Sequence, residues 1–270
     1  MRDALFGTLL ARVCCGFLGV VVLAAALGPW LSPWEFDAVD WDAIDTAPSL
    51  AHWFGTDGVG RDLLTRTLSG AQISIAIALA ATVVSCCIGI PWGATAGYLG
   101  GRTDQAMMRI VDGLYALPFI LLVILLVALF GRNIVLLFAA LGAVSWLDLA
   151  RIVRGQTLAV KSEAYLEAAR GLGAPTFTVI RRHVVPNVLG PALVYATLTV
   201  PGVIIAESFL SFLGLGVQEP QTSWGVLIAD GAREMHSSPW QLVFPAVMLT
   251  LTLFAFNVLG DRLRDAVDVH

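Results

Sequence analysis

The chain has 270 residues, of which 57% are hydrophobic and only 13% are charged, and its mean hydropathy is +0.80. A soluble protein carries about 25% charged residues, so this composition excludes an ordinary soluble domain and indicates a chain that faces lipid. The formal net charge of −4 reflects acids concentrated between Glu35 and Asp62. Because the chain has no basic stripe, we expect no nucleic-acid partner.

Apolar runs recur along the chain and are about 20 residues long, the length that a helix needs to cross a bilayer. Backbone groups in hydrocarbon must be hydrogen-bonded within the protein, and these runs are too long and too uniformly apolar for barrel strands. The sequence therefore predicts an all-α, polytopic membrane protein with six transmembrane helices. The spans are predicted at about residues 13–31, 73–97, 110–130, 134–153, 188–210 and 240–259.

Positive charges predict the orientation of the spans, because cytoplasmic loops carry an excess of Lys and Arg. With the N-terminus inside, 12 of the 16 basic residues lie in the cytoplasm and 4 lie outside. The outside residues are Arg61, Arg66, Arg132 and Arg233. The inside residues are Arg2, Arg12, Arg102, Arg109, Arg151, Arg154, Lys161, Arg170, Arg181, Arg182, Arg262 and Arg264. Both termini are therefore predicted to be cytoplasmic. Residues 1–27 also have the pattern of a signal peptide, but only a retained segment keeps this charge count consistent.

Three of the segments that connect the predicted spans are long. A periplasmic segment is expected at 32–72, a cytoplasmic loop at 154–187 and a second periplasmic segment at 211–239. The first segment begins as an acidic loop. Its second part, 52–74, is interpreted as a turn leading into a short helix.

Several residues predict how the helices pack. Gly89, Gly93 and Gly97 are spaced by four residues, so one face of the second span lacks side chains and another helix can approach it closely. Asp148 and Arg151 are three residues apart, which favours a structural ion pair at the membrane surface. Prolines within or beside the spans should bend them. These are Pro91, Pro118, Pro191 and Pro201.

The chain offers little material for catalysis or metal binding. Its histidines lie outside the apolar spans, and its two pairs of adjacent cysteines lack metal-ligand spacing. Lys161-Ser162 is like the end of a phosphate loop, but Val160 stands where that loop requires its second glycine. Ser162 is better interpreted as a helix N-cap. We therefore expect no catalytic residue, no metal and no cofactor bound by this chain.

Glu207 is an acid inside the fifth predicted span, near its outer end. A charge at the bilayer centre costs about 3 kcal/mol, so this side chain should face protein or water. Two interpretations are open. Glu207 is either part of a gate in a transport pathway, together with Ser211 and Phe212, or a hydrogen-bond anchor for the turn at 208–216.

The cytoplasmic loop contains a short amphipathic helix. Tyr165, Ala168, Ala169 and Leu172 recur at helical spacing, and Gly173 is expected to end the helix, a position where glycine often has a positive φ. On the cytoplasmic face the apolar side of this helix has no bilayer core in which to bury. It should dock on a partner or on the membrane surface, and the residues alone leave both open.

The same loop resembles that of a known family. Glu167-Ala168-Ala169, then Gly173, then after nine residues His183-Val184-Val185-Pro186, is similar to the EAA loop of importer permeases in the ATP-binding-cassette class. The last element of that loop is usually Ile-x-Leu-Pro, and His183 in place of isoleucine is common in the peptide and nickel branch. The stretches 55–62, 209–225 and 256–265 also resemble the C-type permease of that branch. Within it, 144–157 and 218–220 look most like the oligopeptide permease.

This resemblance implies a type I importer permease fold in the bacterial inner membrane, forming half of a pathway for oligopeptides. It also implies a homologous B-type permease subunit, two ATPase subunits that carry ATP and Mg, and a periplasmic or lipid-anchored substrate-binding protein. Glu167 would meet an arginine of the ATPase. The implied coupling residues are Tyr165, Glu167, Ala168, Ala169, Gly171, Gly173, His183 and Pro186. Import of dipeptides, nickel or another small solute is an alternative, and so is a stand-alone secondary transporter.

Overall fold

The computed structural model describes residues 8–131 and 133–268, so Arg2 and Arg132, both counted above for orientation, lie outside the described residues. These residues form ten α-helices and no strand, apart from an isolated bridge between Thr56 and Asp62. The helices are α1 (Leu9–Leu31), α2 (Leu63–Leu99), α3 (Gly101–Tyr115), α4 (Phe119–Phe130), α5 (Ile134–Val160), α6 (Ala164–Gly171), α7 (Thr176–Val179), α8 (Val185–Phe212), α9 (Trp224–Arg233) and α10 (Trp240–Asp268). The predicted helical class is confirmed.

Four helical stretches among the described residues are long and apolar enough to cross a membrane. They are Leu9–Gly28, Leu63–Leu99, Thr176–Phe212 and Trp240–Ala266. The pair α3 and α4 counts as a fifth if it is one broken span, because its two helices are bent by 76°. The break falls inside the span predicted at 110–130, and the bend expected at Pro118 is confirmed. Pro118 explains the break, because the residue before a proline is pushed out of the helical region. The count of six spans stays a prediction.

The helix that contains the second predicted span begins at Leu63, so the turn predicted in 52–74 leads into this long helix rather than into a short one. Asp62 caps this helix and accepts hydrogen bonds from the N–H and the hydroxyl of Thr65, both at 2.8 Å. Arg66 in the first turn is only 1% exposed. The polar residues of the first turns are thus buried by protein contacts, which the hydropathy of the segment did not indicate. With 37 residues, α2 is about 55 Å long at 1.5 Å per residue.

Helices α2 and α5 make the most extensive helix contact of the described chain. Gly89, Gly93 and Gly97 all lie in this contact. A Cβ atom added at Gly89 would lie 3.0 Å from the carbonyl oxygen of Trp146, and one at Gly93 would overlap the carbonyl oxygen of Ala150. This is the close approach that their four-residue spacing predicts.

A row of polar contacts joins α3 to α5. The three pairs are Arg154 with Asp104, Arg151 with Asp112, and Asp148 with Tyr115, at 2.6, 2.9 and 3.1 Å respectively. The predicted ion pair between Asp148 and Arg151 is therefore wrong, because each residue pairs with α3 instead. The guanidinium of Arg151 also lies 4.4 Å from the ring centre of Tyr115. These contacts hold the amphipathic helix α3 against the charged face of α5.

The predicted acidic segment is a loop at 32–62 that is tied to the ends of two helices. His52 Nδ1 lies 2.9 Å from the Asp62 carboxylate at the start of α2. On α10, Trp240 Nε1 donates to the carbonyl of Thr56 at 3.2 Å, and Gln241 donates to Asp45 at 2.7 Å. We call this end of α2 the Asp62 end and the opposite end, next to α6, the α6 end.

Candidate coupling and gating sites

The short helix α6 packs on the membrane helices through a buried leucine. Leu166 is completely buried and packs with Ala94 and Tyr98 of α2 and with Val179 and Val184 of the following segment. The helix begins at Ala164 with Glu163 at the N-cap position, so the prediction that Ser162 is the N-cap is wrong. No side chain caps this end, and the buried Leu166 instead seats α6 in a cluster shared with α2, α5, α7 and α8.

Gly173 forms the turn that follows α6. Its φ is +79°, so the positive φ expected there is confirmed. The N–H of Ala174 donates to the carbonyl of Ala169 at 3.1 Å, and the N–H of Gly173 donates to the carbonyl of Arg170 at 2.9 Å. This pattern closes the last turn of the helix around a left-handed residue. A branched side chain at Gly173 would be strained in that conformation.

The opposite face of α6 is exposed. Glu167, Ala168 and Gly171 are exposed, and Ala169 is half-buried. Tyr165 is 40% exposed and Leu172 is 89% exposed, so of the apolar side predicted from helical spacing only Ala169 packs on the described chain. Within residues 8–131 and 133–268, no basic side chain forms an ion pair with Glu167.

The end of the predicted loop motif lies where α7 runs into α8. Residues Ile180–Val184 form a π-helical turn, and Pro186, which has no N–H, follows it in the first turn of α8. His183 is half-buried, and its carbonyl accepts a hydrogen bond from the side-chain amide of Asn187 at 2.6 Å. His183 and Pro186 therefore lie at the widened junction between the loop and a membrane helix.

Glu207 lies at the centre of a serine cluster, which we define as Glu207, Ser74, Ser211 and Ser223. The carboxylate is completely buried. Ser211 donates to it at 2.6 Å and Ser74 donates at 3.2 Å. The hydroxyls of Ser211 and Ser223 lie 3.3 Å apart. The cluster thus joins α8 to α2 and to the residue that precedes α9.

The serine cluster also holds α9 through its backbone. Ser74 accepts a hydrogen bond from the N–H of Trp224 at 3.2 Å, and Ser223 caps α9 by accepting from the N–H of Val226 at 3.3 Å. Gly225 permits this approach, because a Cβ there would lie 2.9 Å from the Cβ of Ser211. These contacts fit an anchor, but the predicted turn at 208–216 is helical as far as Phe212, and the element that the cluster holds is α9. Phe212, predicted with Glu207 as a gate, is 53% exposed and lies outside the cluster.

An ionic network lies at the Asp62 end. Arg61 pairs with Asp57 at 2.7 Å and with Glu219 at 3.0 Å. Burial acts to lower the pKa of Arg61, but the hydrogen bonds and charges of Asp57 and Glu219 outweigh it and raise that pKa. Burial raises the pKa of Asp230 on α9, against the nearby charge of Arg233. The network ties the loop before α2 to the segment before α9.

Three groups in these sites were not identified from the sequence. Ser74 and Ser223 lie 133 and 16 residues from Glu207 in the chain, so only the fold brings them together. Tyr98 lies just past the predicted end of the second span and the sequence pattern gave it no role, although it belongs to the buried cluster that includes Leu166 of α6. The signal in the sequence was the position of a tyrosine near the end of a span and close to a charged loop, which indicates a contact with that loop.

Residues 89–269 match the family described as the binding-protein-dependent transport system inner membrane component. The chain belongs to this family. The permease is 52% identical over 253 residues to the oligopeptide transport system permease protein OppC of Haemophilus influenzae, covering 93% of this chain and 81% of that protein. It is also 52% identical to OppC of Escherichia coli K12, covering 93% of this chain and 84% of that protein. To the dipeptide transport system permease protein DppC of Bacillus subtilis it is 48% identical, covering 90% of this chain and 77% of that protein.

The fold of the permease is similar to that of a solved importer. A chain of the methionine ABC transporter MetNI, in inward facing conformations, matches with a TM-score of 0.58 at 18% identity. The match covers 76% of the permease and 96% of that chain. This likeness shows the type I importer permease fold, and the family makes the protein a membrane-embedded permease component of an ATP-binding-cassette importer.

Proposed function

We propose that the permease forms half of the pathway through which an ATP-driven importer takes up oligopeptides across the bacterial inner membrane. The substrate class is supported by the 52% identity to two oligopeptide permease proteins. The residues at 144–157 and 218–220 resemble the same branch. One of these residues, Glu219, pairs with Arg61 at the Asp62 end.

The partners follow from this function. A homologous B-type permease subunit would supply the other half of the pathway, and two ATPase subunits would carry ATP and Mg. A periplasmic or lipid-anchored protein would deliver the peptide. This chain would be non-catalytic and would hold no cofactor of its own.

The observation that carries the coupling role is the division of α6 into two faces. Leu166 fixes the helix on α2, while Glu167 and Ala168 face away from the described chain. The outward face has one acid flanked by small and apolar side chains, which fits a cleft that contains a basic residue. We propose that the ATPase occupies this face, with an arginine on Glu167, and that the turn at Gly173 and the junction at His183 and Pro186 orient the helix.

The membrane topology completes the proposal. Helix α5 (Ile134–Val160) would be the sixth span, beside the four long helices and the broken pair α3 and α4. The α6 end would face the cytoplasm with both termini, and the Asp62 end would face the periplasm, as the 12-to-4 distribution of basic residues predicts.

Reconstitution of the complete importer into proteoliposomes tests this function. Uptake of a labelled oligopeptide should require the binding protein and ATP, and it should stop with an ATPase that cannot hydrolyse ATP. Unlabelled oligopeptide should compete more strongly than a dipeptide or nickel ions. Uptake that continues without ATP would instead establish a secondary transporter, and selective competition by nickel would overturn the substrate class.

A further inference from the structure

Arg170, in the last turn of α6, contacts Tyr98 near the end of α2. Its Nε donates to the Tyr98 hydroxyl at 3.0 Å, and the guanidinium carbon lies 4.8 Å from the centre of the tyrosine ring. A second guanidinium nitrogen donates to the carbonyl of Lys161 at 3.4 Å. Tyr98 is only 7% exposed, so its ring is fixed by the surrounding core.

This contact constrains direction as well as distance. A planar guanidinium that is hydrogen-bonded and placed over a ring has a defined orientation, which a lysine ammonium would not have. The neighbouring contact of α6 with α2, through Leu166, is apolar and therefore non-directional. The pair of Arg170 and Tyr98 therefore adds a directional contact between α6 and α2 to the apolar packing of Leu166 and Ala169.

Helix α2 connects this contact to the serine cluster. Tyr98 and Ser74 are 24 residues apart on one continuous helix, which corresponds to about 36 Å at 1.5 Å per residue. Ser74 donates to Glu207 and accepts from Trp224. A displacement of α2 at the α6 end would therefore reach the contacts that hold α9 at the Asp62 end.

We propose that the contact between Arg170 and Tyr98 transfers the movement of α6 to α2. Arg170 is a positioning residue in this role, because it does not need to touch the ATPase or the substrate. The inference rests on the proposed coupling function of α6 and adds the element that receives the movement. Without this contact, the ATPase still binds the outward face of α6, but α6 rotates about Leu166 and α2 is not displaced with it.

The test compares five permease variants in the complete importer in proteoliposomes. They are Arg170→Gln, Tyr98→Leu, the double variant, the conservative Tyr98→Phe, and Arg102→Gln as a control at an exposed arginine of the same membrane end. The measurements are binding of the ATPase subunits, basal ATP hydrolysis, hydrolysis stimulated by peptide-loaded binding protein, and peptide uptake.

Arg170→Gln and Tyr98→Leu should each leave ATPase binding and basal hydrolysis unchanged. Each should lower stimulated hydrolysis and peptide uptake about fivefold or more, which is the low end of the coupling measured between distant sites in proteins. Tyr98→Phe keeps the ring and loses the hydroxyl, so its loss should be smaller. The double variant should lose no more activity than either single variant, because the two substitutions remove the same contact. Arg102→Gln should behave as wild type.

Three results would overturn the proposal. Normal stimulation in both single variants would show that the contact carries no movement. Losses that multiply in the double variant would show that the two residues act separately. Loss of ATPase binding in Arg170→Gln would make Arg170 a direct ATPase contact. If Glu167→Lys also leaves uptake intact, the coupling role of α6 itself fails, so the two failures are distinguishable.

Discussion

Replacing Glu207 with alanine tests whether the serine cluster anchors α9 to α2 and α8. The substitution removes the acceptor of two hydrogen bonds, from Ser211 at 2.6 Å and from Ser74 at 3.2 Å. Both hydroxyls lie in buried residues. Each buried partner left unsatisfied costs about 1–3 kcal/mol. Relief of the desolvation of the carboxylate offsets part of this loss. We therefore expect Glu207→Ala to destabilise the permease by about 3 kcal/mol.

Glu207→Gln is the matched variant, because it keeps the volume and one acceptor oxygen. Its amide nitrogen can donate to a serine hydroxyl, so the expected loss is about 1 kcal/mol. The exposed Glu35 lies on the loop at the same end, and Glu35→Ala is the control for removal of an acid. Surface substitutions of this kind usually change stability by less than about 0.5 kcal/mol.

The assay is the thermal unfolding midpoint of the purified importer, with peptide uptake measured in parallel. For a chain of this size, a loss of about 3 kcal/mol lowers the midpoint by roughly 6–12 °C. The unfolding midpoint should be highest for Glu35→Ala, lower for Glu207→Gln and lowest for Glu207→Ala. A Glu207→Ala importer that keeps its midpoint but loses uptake would refute the anchor and support the gate.

Two further predictions concern packing and topology. Gly93→Ala places a Cβ against the backbone of α5 and should destabilise the permease by about 1–3 kcal/mol through overpacking. Gly113→Ala is the control, because nothing lies within 4 Å of a Cβ there, and it should raise the unfolding midpoint since alanine favours helix. Equal midpoints for the two variants would contradict the packing role of Gly93. Reporter fusions after Asp45 and Glu219 should be active in the periplasm and a fusion after Lys161 in the cytoplasm, and a cytoplasmic signal at Asp45 would overturn the topology.

Features carried by local periodicity could be predicted from the sequence. The helical class follows from long apolar runs, and the contact at Gly89, Gly93 and Gly97 follows from a four-residue repeat on one helix. The left-handed Gly173 follows from a glycine that ends an amphipathic segment. Each of these signals lies within a few turns of chain, where spacing alone determines which residues share a face.

Features that depend on distant partners could not be predicted. Arg151 and Arg154 pair with residues of α3 that lie 39 and 50 positions earlier, and no spacing rule points to them. Arg66 is buried and lies 3.6 Å from Asp57 of the loop at 32–62, whereas its charge alone indicated an exposed segment. Leu166 on α6 and Leu172 directly after it are both apolar, and helical period does not show which of them packs on the chain.

The charge of Glu167 provides the most direct test of the coupling role. Glu167→Lys reverses an exposed charge on the outward face of α6 and places it against the expected arginine of the ATPase, where like charges can cost several kcal/mol. Asp265→Lys, at another exposed acid, is the matched charge reversal. The measurement is ATP hydrolysis by the reconstituted importer with and without peptide-loaded binding protein. We predict that Glu167→Lys loses the stimulation while Asp265→Lys keeps it, and full stimulated hydrolysis in Glu167→Lys would contradict the account.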